Sequence, residues 1–174
     1  LTEWATLVAQ LPYKRTTIED AAFRYQTEAV GSVTLGLRTA LLPLVDAGEG
    51  PNALALNAAL AVPTGYTRNF APSAGTGQVD VAASLAYGRS FYPLPLYAQA
   101  SAGFRYRTTA YGLSTAIDCQ EGRDLNCTRD QQPDYGNEWL YAAEVGWTPL
   151  GGAVLLQGLV RGVWSVREPD VGFT

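Results

Sequence analysis

The sequence predicts an all-β fold, an antiparallel up-and-down transmembrane β-barrel, on three observations. Segments of about ten residues alternate in polarity with the two-residue period of a strand. The connections between them run alternately long and short. The apolar side of the segments ends in aromatic residues, while arginines and carboxylates gather on the opposite side.

Seven segments carry the pattern. The first, 4–11, alternates loosely and is followed by a long polar connection over 12–32. The second, 33–42, places Arg38 on its polar side and leads into a shorter connection over 43–52. In the third, 53–62, Leu54, Leu56, Ala58, Leu60 and Val62 oppose Ala55, Asn57, Ala59 and Ala61; a long connection over 63–78 follows. The fourth, 79–88, is the clearest: Val79, Val81, Ala83, Leu85 and Tyr87 stand against Asp80, Ala82, Ser84, Ala86 and Gly88. After a short connection over 89–96 comes the fifth, 97–107, then the longest connection, 108–137. The sixth, 138–148, and the seventh, 153–165, are joined by a tight turn over 149–152. Helix competes in this reading because Ala and Leu are good helix formers, most sharply over the Ala-rich 52–62. The 18 glycines, the threonines and aromatics, and the period of two favour strand.

Long loops on one side and short turns on the other are the habit of outer-membrane barrels. Odd-numbered segments then run outward and even-numbered ones inward. The apolar side of such a barrel faces lipid, so the aromatic girdle is expected from Tyr87, Phe104, Tyr106, Trp139, Tyr141, Trp147 and Trp164. The charges Arg38, Asp80, Arg105, Arg107, Glu144 and Arg161 fall on the other side. An arginine facing lipid at mid-depth costs roughly 2–4 kcal/mol, which assigns these six to the lumen or its rim. The competing architecture is a soluble sandwich or lipocalin-like barrel with an aromatic core.

Composition narrows the function classes. The chain has 174 residues, enough for one domain, with 47% hydrophobic and 16% charged residues. Its charged share is below the roughly one quarter typical of soluble domains. No continuous apolar run reaches the ~20 residues of a membrane helix, since Pro149, Gly151 and Gly152 interrupt the charge-free stretch 145–160. The net charge of −4, with basic residues scattered along the chain, excludes the stripe that nucleic-acid binding needs. Leu1 leads straight into Thr2, Glu3 and Trp4 without a signal segment, and there is no Met. A mature product or a fragment is therefore expected. Segments one and seven both run outward and cannot pair antiparallel, so further strands are expected at one or both ends, or from another chain.

Cys119 and Cys127 share the longest connection, and a disulfide is the natural reading in an oxidising compartment. It would close a loop of about nine residues, worth about 2–3 kcal/mol. Zinc is the alternative, but two cysteines and no histidine leave it short of ligands. Asp118, Glu121, Asp124, Asn126 and Asp130 in the same loop offer oxygen ligands for Ca²⁺. Their spacing departs from the calcium-loop pattern, and a solvated acidic loop is the simpler account. Without histidine the usual triads and His-metal sites are absent. Gly75-Thr76-Gly77 lacks the Lys and helix of a phosphate loop. No enzyme, cofactor or metal site is expected.

A resemblance attaches to particular strings: Val62-Pro63-Thr64-Gly65, Gly77-Gln78-Val79-Asp80, Tyr87-Gly88-Arg89-Ser90-Phe91 and Gly103-Phe104-Arg105-Tyr106-Arg107, with the Leu7–Tyr13 phrase as a strand-then-loop entry. Together they resemble the transporter-like outer-membrane proteins associated with phenol-degradation pathways. The likeness spans about two thirds of the chain, and its motifs are structural: turn glycines, girdle aromatics and lumen arginines. It implies a bacterial outer-membrane barrel passing small hydrophobic or anionic compounds. The chain departs from that family in its shortness and its cysteine-bearing loop. The functional expectation is a passive channel whose lumen charges set selectivity, the arginine excess favouring anions. The alternative is a structural or binding barrel, its charges salt-bridged into a plug, anchoring a surface assembly through 108–137. Expected partners are the lipid bilayer, chains that complete the barrel and other envelope proteins. A soluble ligand-binding barrel is the third reading.

Overall fold

The computed structural model describes residues 4–19, 21–22, 24–42, 50–115, 127 and 135–166. The elements named among the described residues are β-strands and a 3₁₀ turn at Leu150–Gly152. The strands are β1 (Ala5–Gln10), β2 (Tyr13–Glu19), β3 (Arg24–Val30), β4 (Val33–Ala40), β5 (Asn52–Val62), β6 (Asp80–Ser90), β7 (Leu96–Arg107), β8 (Glu138–Trp147) and β9 (Leu156–Ser165). Seven of them form one antiparallel sheet in the order β1-β4-β5-β6-β7-β8-β9. Chain neighbours are sheet neighbours except at β1–β4, as expected of consecutive hairpins.

The sheet is open, with β1 and β9 as its two edges. Six antiparallel steps separate them, so both run the same way and cannot close on each other in an antiparallel seam. The antiparallel all-β architecture is thus present, and among the described residues the sheet does not close into a barrel.

One expectation is overturned. The connection 12–32 is not a polar loop: it holds β2 and β3, paired from Tyr13↔Val30 to Glu19↔Arg24. The described chain therefore has nine strands, seven in the large sheet and two in this hairpin. The hairpin escapes a hydrophobic-pattern reading because it has no apolar face. Arg15–Glu28 (2.9 Å) and Arg24–Glu19 (3.1 Å) pair in the open, and threonines fill much of the rest. Its strand preference resides in Thr16, Thr17, Ile18, Tyr25 and Thr27, β-branched or aromatic residues flanked by charges. The Gly31 N–H donates to the Pro12 carbonyl at 2.8 Å, joining this hairpin to the β1–β4 ladder. A smaller correction concerns the last strand, which starts at Leu156 rather than 153. Gly151 and Gly152 take the left-handed conformation there (φ 65° and 91°), extending the turn.

Fully covered side chains are concentrated away from the strands. Tyr66, Ala74, Asn69, Gln78 and Ser114 are buried, and so is Pro63, all in the connections 63–79 and 108–115. In the large sheet Ala55 is the one hydrophobic residue among the described buried ones. These connections sit at the loop end of the sheet, opposite the turn end that carries 149–152. They form a compact module. Its parts are joined by a parallel bridge Thr67↔Thr115 and an antiparallel bridge Phe70↔Cys127.

Candidate functional site

The two faces of the sheet differ in kind. Along β6, Val81, Ala83, Leu85 and Tyr87 are exposed, while Asp80, Ala82, Ser84, Ala86 and Gly88 are half-buried. β8 repeats this, with Trp139, Tyr141, Ala143, Val145 and Trp147 exposed against Glu138, Leu140, Ala142 and Glu144. The apolar side is the open side: Leu85 is 49%, Val145 52% and Trp147 48% exposed. A soluble sheet buries that side against a second layer, and no described element covers it here.

Register places all seven expected girdle residues on the apolar face. Trp139 stands opposite Phe104 on one side and Trp164 on the other, and Tyr106 opposite Val81. The Phe104 and Trp139 rings meet edge to face at 5.0 Å, a favourable aromatic geometry. Tyr141 lies over Gly162 of the neighbouring strand, where any side chain would collide with its ring. Tyr87, near the turn end, donates its hydroxyl to Asn52 Oδ1 at 2.7 Å.

All six expected charged residues fall on the polar face, but at two levels. At the loop end, Arg105 Nη1 and Arg107 Nη2 both donate to Glu138, at 2.8 and 2.5 Å. Arg107 is 9% exposed, its guanidinium 5.3 Å from the centre of the Tyr135 ring, and its backbone N–H donates to Asn137 Oδ1 at 2.9 Å. Asp80 opposes Arg107 in the ladder. Two arginines and two carboxylates make this cluster neutral. Asp80 Oδ1 and Arg107 Nε have no hydrogen-bond partner among the described residues.

Deeper along the face the arrangement changes. Glu144 accepts from three neutral donors: Tyr97 Oη and Gln99 Nε2, each at 2.7 Å, and Gln157 Nε2. Arg38 and Arg161 form no ion pair with any described residue. Asn57 Nδ2 donates to Ser84 Oγ at 3.3 Å. Arg38, Asn57, Ser101, Glu144 and Leu159, from five strands, line one hollow of about 210 Å³. A second, of about 540 Å³, is lined by Ser84, Leu140, Arg161 and Val163 and shares Ser101, Ala142, Glu144 and Leu159 with the first. The two form one groove on the polar face.

Reading the sequence for charge missed Glu138, the carboxylate that neutralises two arginines, and the amide and phenol donors around Glu144. Glu138 has the same parity as Glu144, so the alternation already placed it on the polar face. Nothing in the sequence said which arginines it would hold.

At the loop end, Gln78 is 1% exposed and fully used: its Nε2 donates to the Thr108 carbonyl at 3.0 Å, and its Oε1 accepts the Tyr135 N–H at 3.3 Å. The Tyr66 hydroxyl accepts the Gly77 N–H at 2.8 Å. Gly77 has φ +79° with Ser114 Oγ close by, so a side chain there is both strained and crowded. On the hairpin, the Tyr13 phenol is held above its usual pKa of 10.0, first by donating to Glu28 and then by that carboxylate's charge.

Cys127 is not a free thiol, while its expected partner Cys119 lies outside the described residues. So do Asp118, Glu121, Asp124, Asn126 and Asp130. Among the described residues no group of three or more His, Cys, Asp or Glu could hold a metal ion, and no helix is long and apolar enough to cross a membrane. Comparison with protein-family models, with curated proteins and with solved structures yields no match.

Proposed function

We propose that this chain is a wall segment of a bacterial outer-membrane β-barrel that passes small solutes passively, its polar face lining the lumen. The observation that carries the reading is the inversion of the sheet: the apolar, aromatic-ended face is open, and the charged, hydrogen-bonded face is the concave one. Burying that apolar face in acyl chains satisfies it at about 25 cal/mol per Å². A strand of about ten residues tilted by about 40° spans roughly 25 Å, the height of the apolar band in such barrels. On this reading the lipid bilayer is the first partner. Further strands, from this polypeptide or another, pair with β1 and β9, and Cys127 bonds Cys119 in the loop. The phenol-degradation-associated transporter-like proteins remain the family proposed by resemblance.

Single-cysteine labelling in vesicles tests the reading. Cysteines at Leu85 and Val145 should react with a bilayer-confined reagent and resist an aqueous one, and cysteines at Ser84 and Ser101 should do the reverse. The opposite pattern would sink the membrane assignment.

A second reading, a plugged barrel serving as a surface anchor, draws on the neutral Arg105–Glu138–Arg107 cluster and on the packed loop module beside it. Planar-bilayer conductance of the complete barrel separates the two. Steady single-channel steps favour the channel, and a folded but silent barrel favours the anchor.

A further inference from the structure

The groove on the polar face can be audited for hydrogen-bond donors and acceptors. Its carboxylate, Glu144, already receives three donors. Its two cations are uncommitted, because the other arginines of this face are spent on Glu138 at the loop end. The Ser84 hydroxyl accepts from Asn57 and keeps its own proton to give, and Ser101 has no hydrogen-bond partner among the described residues. What sets the groove's preference is therefore its two charged donors, which outweigh the neutral amide oxygens of Asn57 and Gln99 beside them. Such a surface selects an acceptor-only, negatively charged group, and guanidinium forks match carboxylate geometry. Leu140, Leu159 and Val163 line the same groove beside Arg161, giving an apolar surface next to the charge.

We infer that Arg38 and Arg161, with the Ser84 and Ser101 hydroxyls, form a binding strip for small organic carboxylates whose apolar body rests on the leucine and valine side chains. This places the selectivity of the proposed channel in the groove and not in the Arg105–Arg107 cluster, and it rests on the lumen reading of the polar face. Arg38 on β4 and Arg161 on β9 approach the groove from opposite flanks, and Glu144 between them limits the net charge to +1. One carboxylate per ligand suits that balance, and dicarboxylates are disfavoured.

Equilibrium dialysis of labelled benzoate against the folded chain in detergent micelles tests the strip, with benzyl alcohol as a neutral aromatic control. Benzoate should be retained at least tenfold better than benzyl alcohol, and the Arg38→Gln/Arg161→Gln double variant should lose that preference. Glu144→Gln should bind benzoate two- to fivefold more tightly, a gain that misfolding cannot produce. Arg15→Gln, on the remote hairpin, should change nothing. Equal retention of benzoate and benzyl alcohol, or a double variant that binds like the parent, overturns the strip. The cysteine labelling keeps the two ideas apart. If the polar face labels from water as proposed while benzoate is not retained, the strip alone fails; if it does not label, the lumen reading fails.

Discussion

On β6 and β8, Leu85 and Val145 leave about half their surface open (49% and 52%), whereas in the adjoining loops Asn69 and Gln78 are 1% exposed. The two regions solve the burial problem in opposite ways. The loop module behaves like a small soluble core in which polar groups are covered only because each finds a partner: Gln78 spans Thr108 and Tyr135, and Tyr66 caps the Gly77 amide. The wall has one polar face that pairs part of its charge within the sheet and leaves Arg38 and Arg161 uncommitted, and another that needs an apolar surrounding. A sheet whose side chains make no core among themselves depends on its solvent for stability; a module that packs on itself does not.

This contrast can be attacked from both sides. The largest effect should come from Leu85→Arg, which puts a charge at the middle of the open apolar face. In vesicles it should destabilise the fold by about 2–4 kcal/mol, read as a shift in urea unfolding, while Ser101→Arg on the polar face should cost little. Equal penalties at the two positions would erase the difference between the faces. Tyr66→Phe should act next most strongly and only locally. It strands the Gly77 N–H at a cost of about 1–3 kcal/mol, so hydrogen exchange should quicken in 63–79 and stay unchanged along β6 and β7. If the wall loosens equally, the module is not a separate unit.

The smallest effect lies on the exposed hairpin. Tyr13 is a donor only while protonated, and its pKa is raised. The bond to Glu28 is therefore fully present below pH 10 and is lost as the pH climbs through the raised value. Ultraviolet titration should find Tyr13 ionising above the ordinary tyrosine value, and Glu28→Gln should bring it down. Coincident Tyr13 titration in the parent and in Glu28→Gln would remove any role for that contact.

What could be read in the sequence follows the same division. The alternation Val81–Tyr87 against Asp80–Gly88 marks strand and face together, because successive residues of a strand point to opposite faces of the sheet. The aromatics and charges sort by parity for the same reason, so the face of each candidate residue was legible while its partner was not. That Glu138 takes both Arg105 and Arg107, leaving Arg38 and Arg161 uncommitted, depends on the register between β7 and β8 and cannot be seen along one strand. The β2–β3 hairpin was invisible because both of its faces are polar, which removes the signal that alternation supplies. The loop module was equally silent: its core rests on Gln78, Asn69 and Ser114, residues whose burial no hydropathy pattern announces.

The continuity of β1 with β2, and of β3 with β4, bears on mechanics. From Ala5 to Glu19 the chain is extended almost without a break, a contour of roughly 50 Å at about 3.3 Å per residue. That is about twice the thickness of the ~25 Å apolar band of such barrels. A pull on the hairpin tip would load the β1–β4 hydrogen bonds in shear, all at once, so the protrusion is a stiff handle whose displacement must be shared by the strand that roots it.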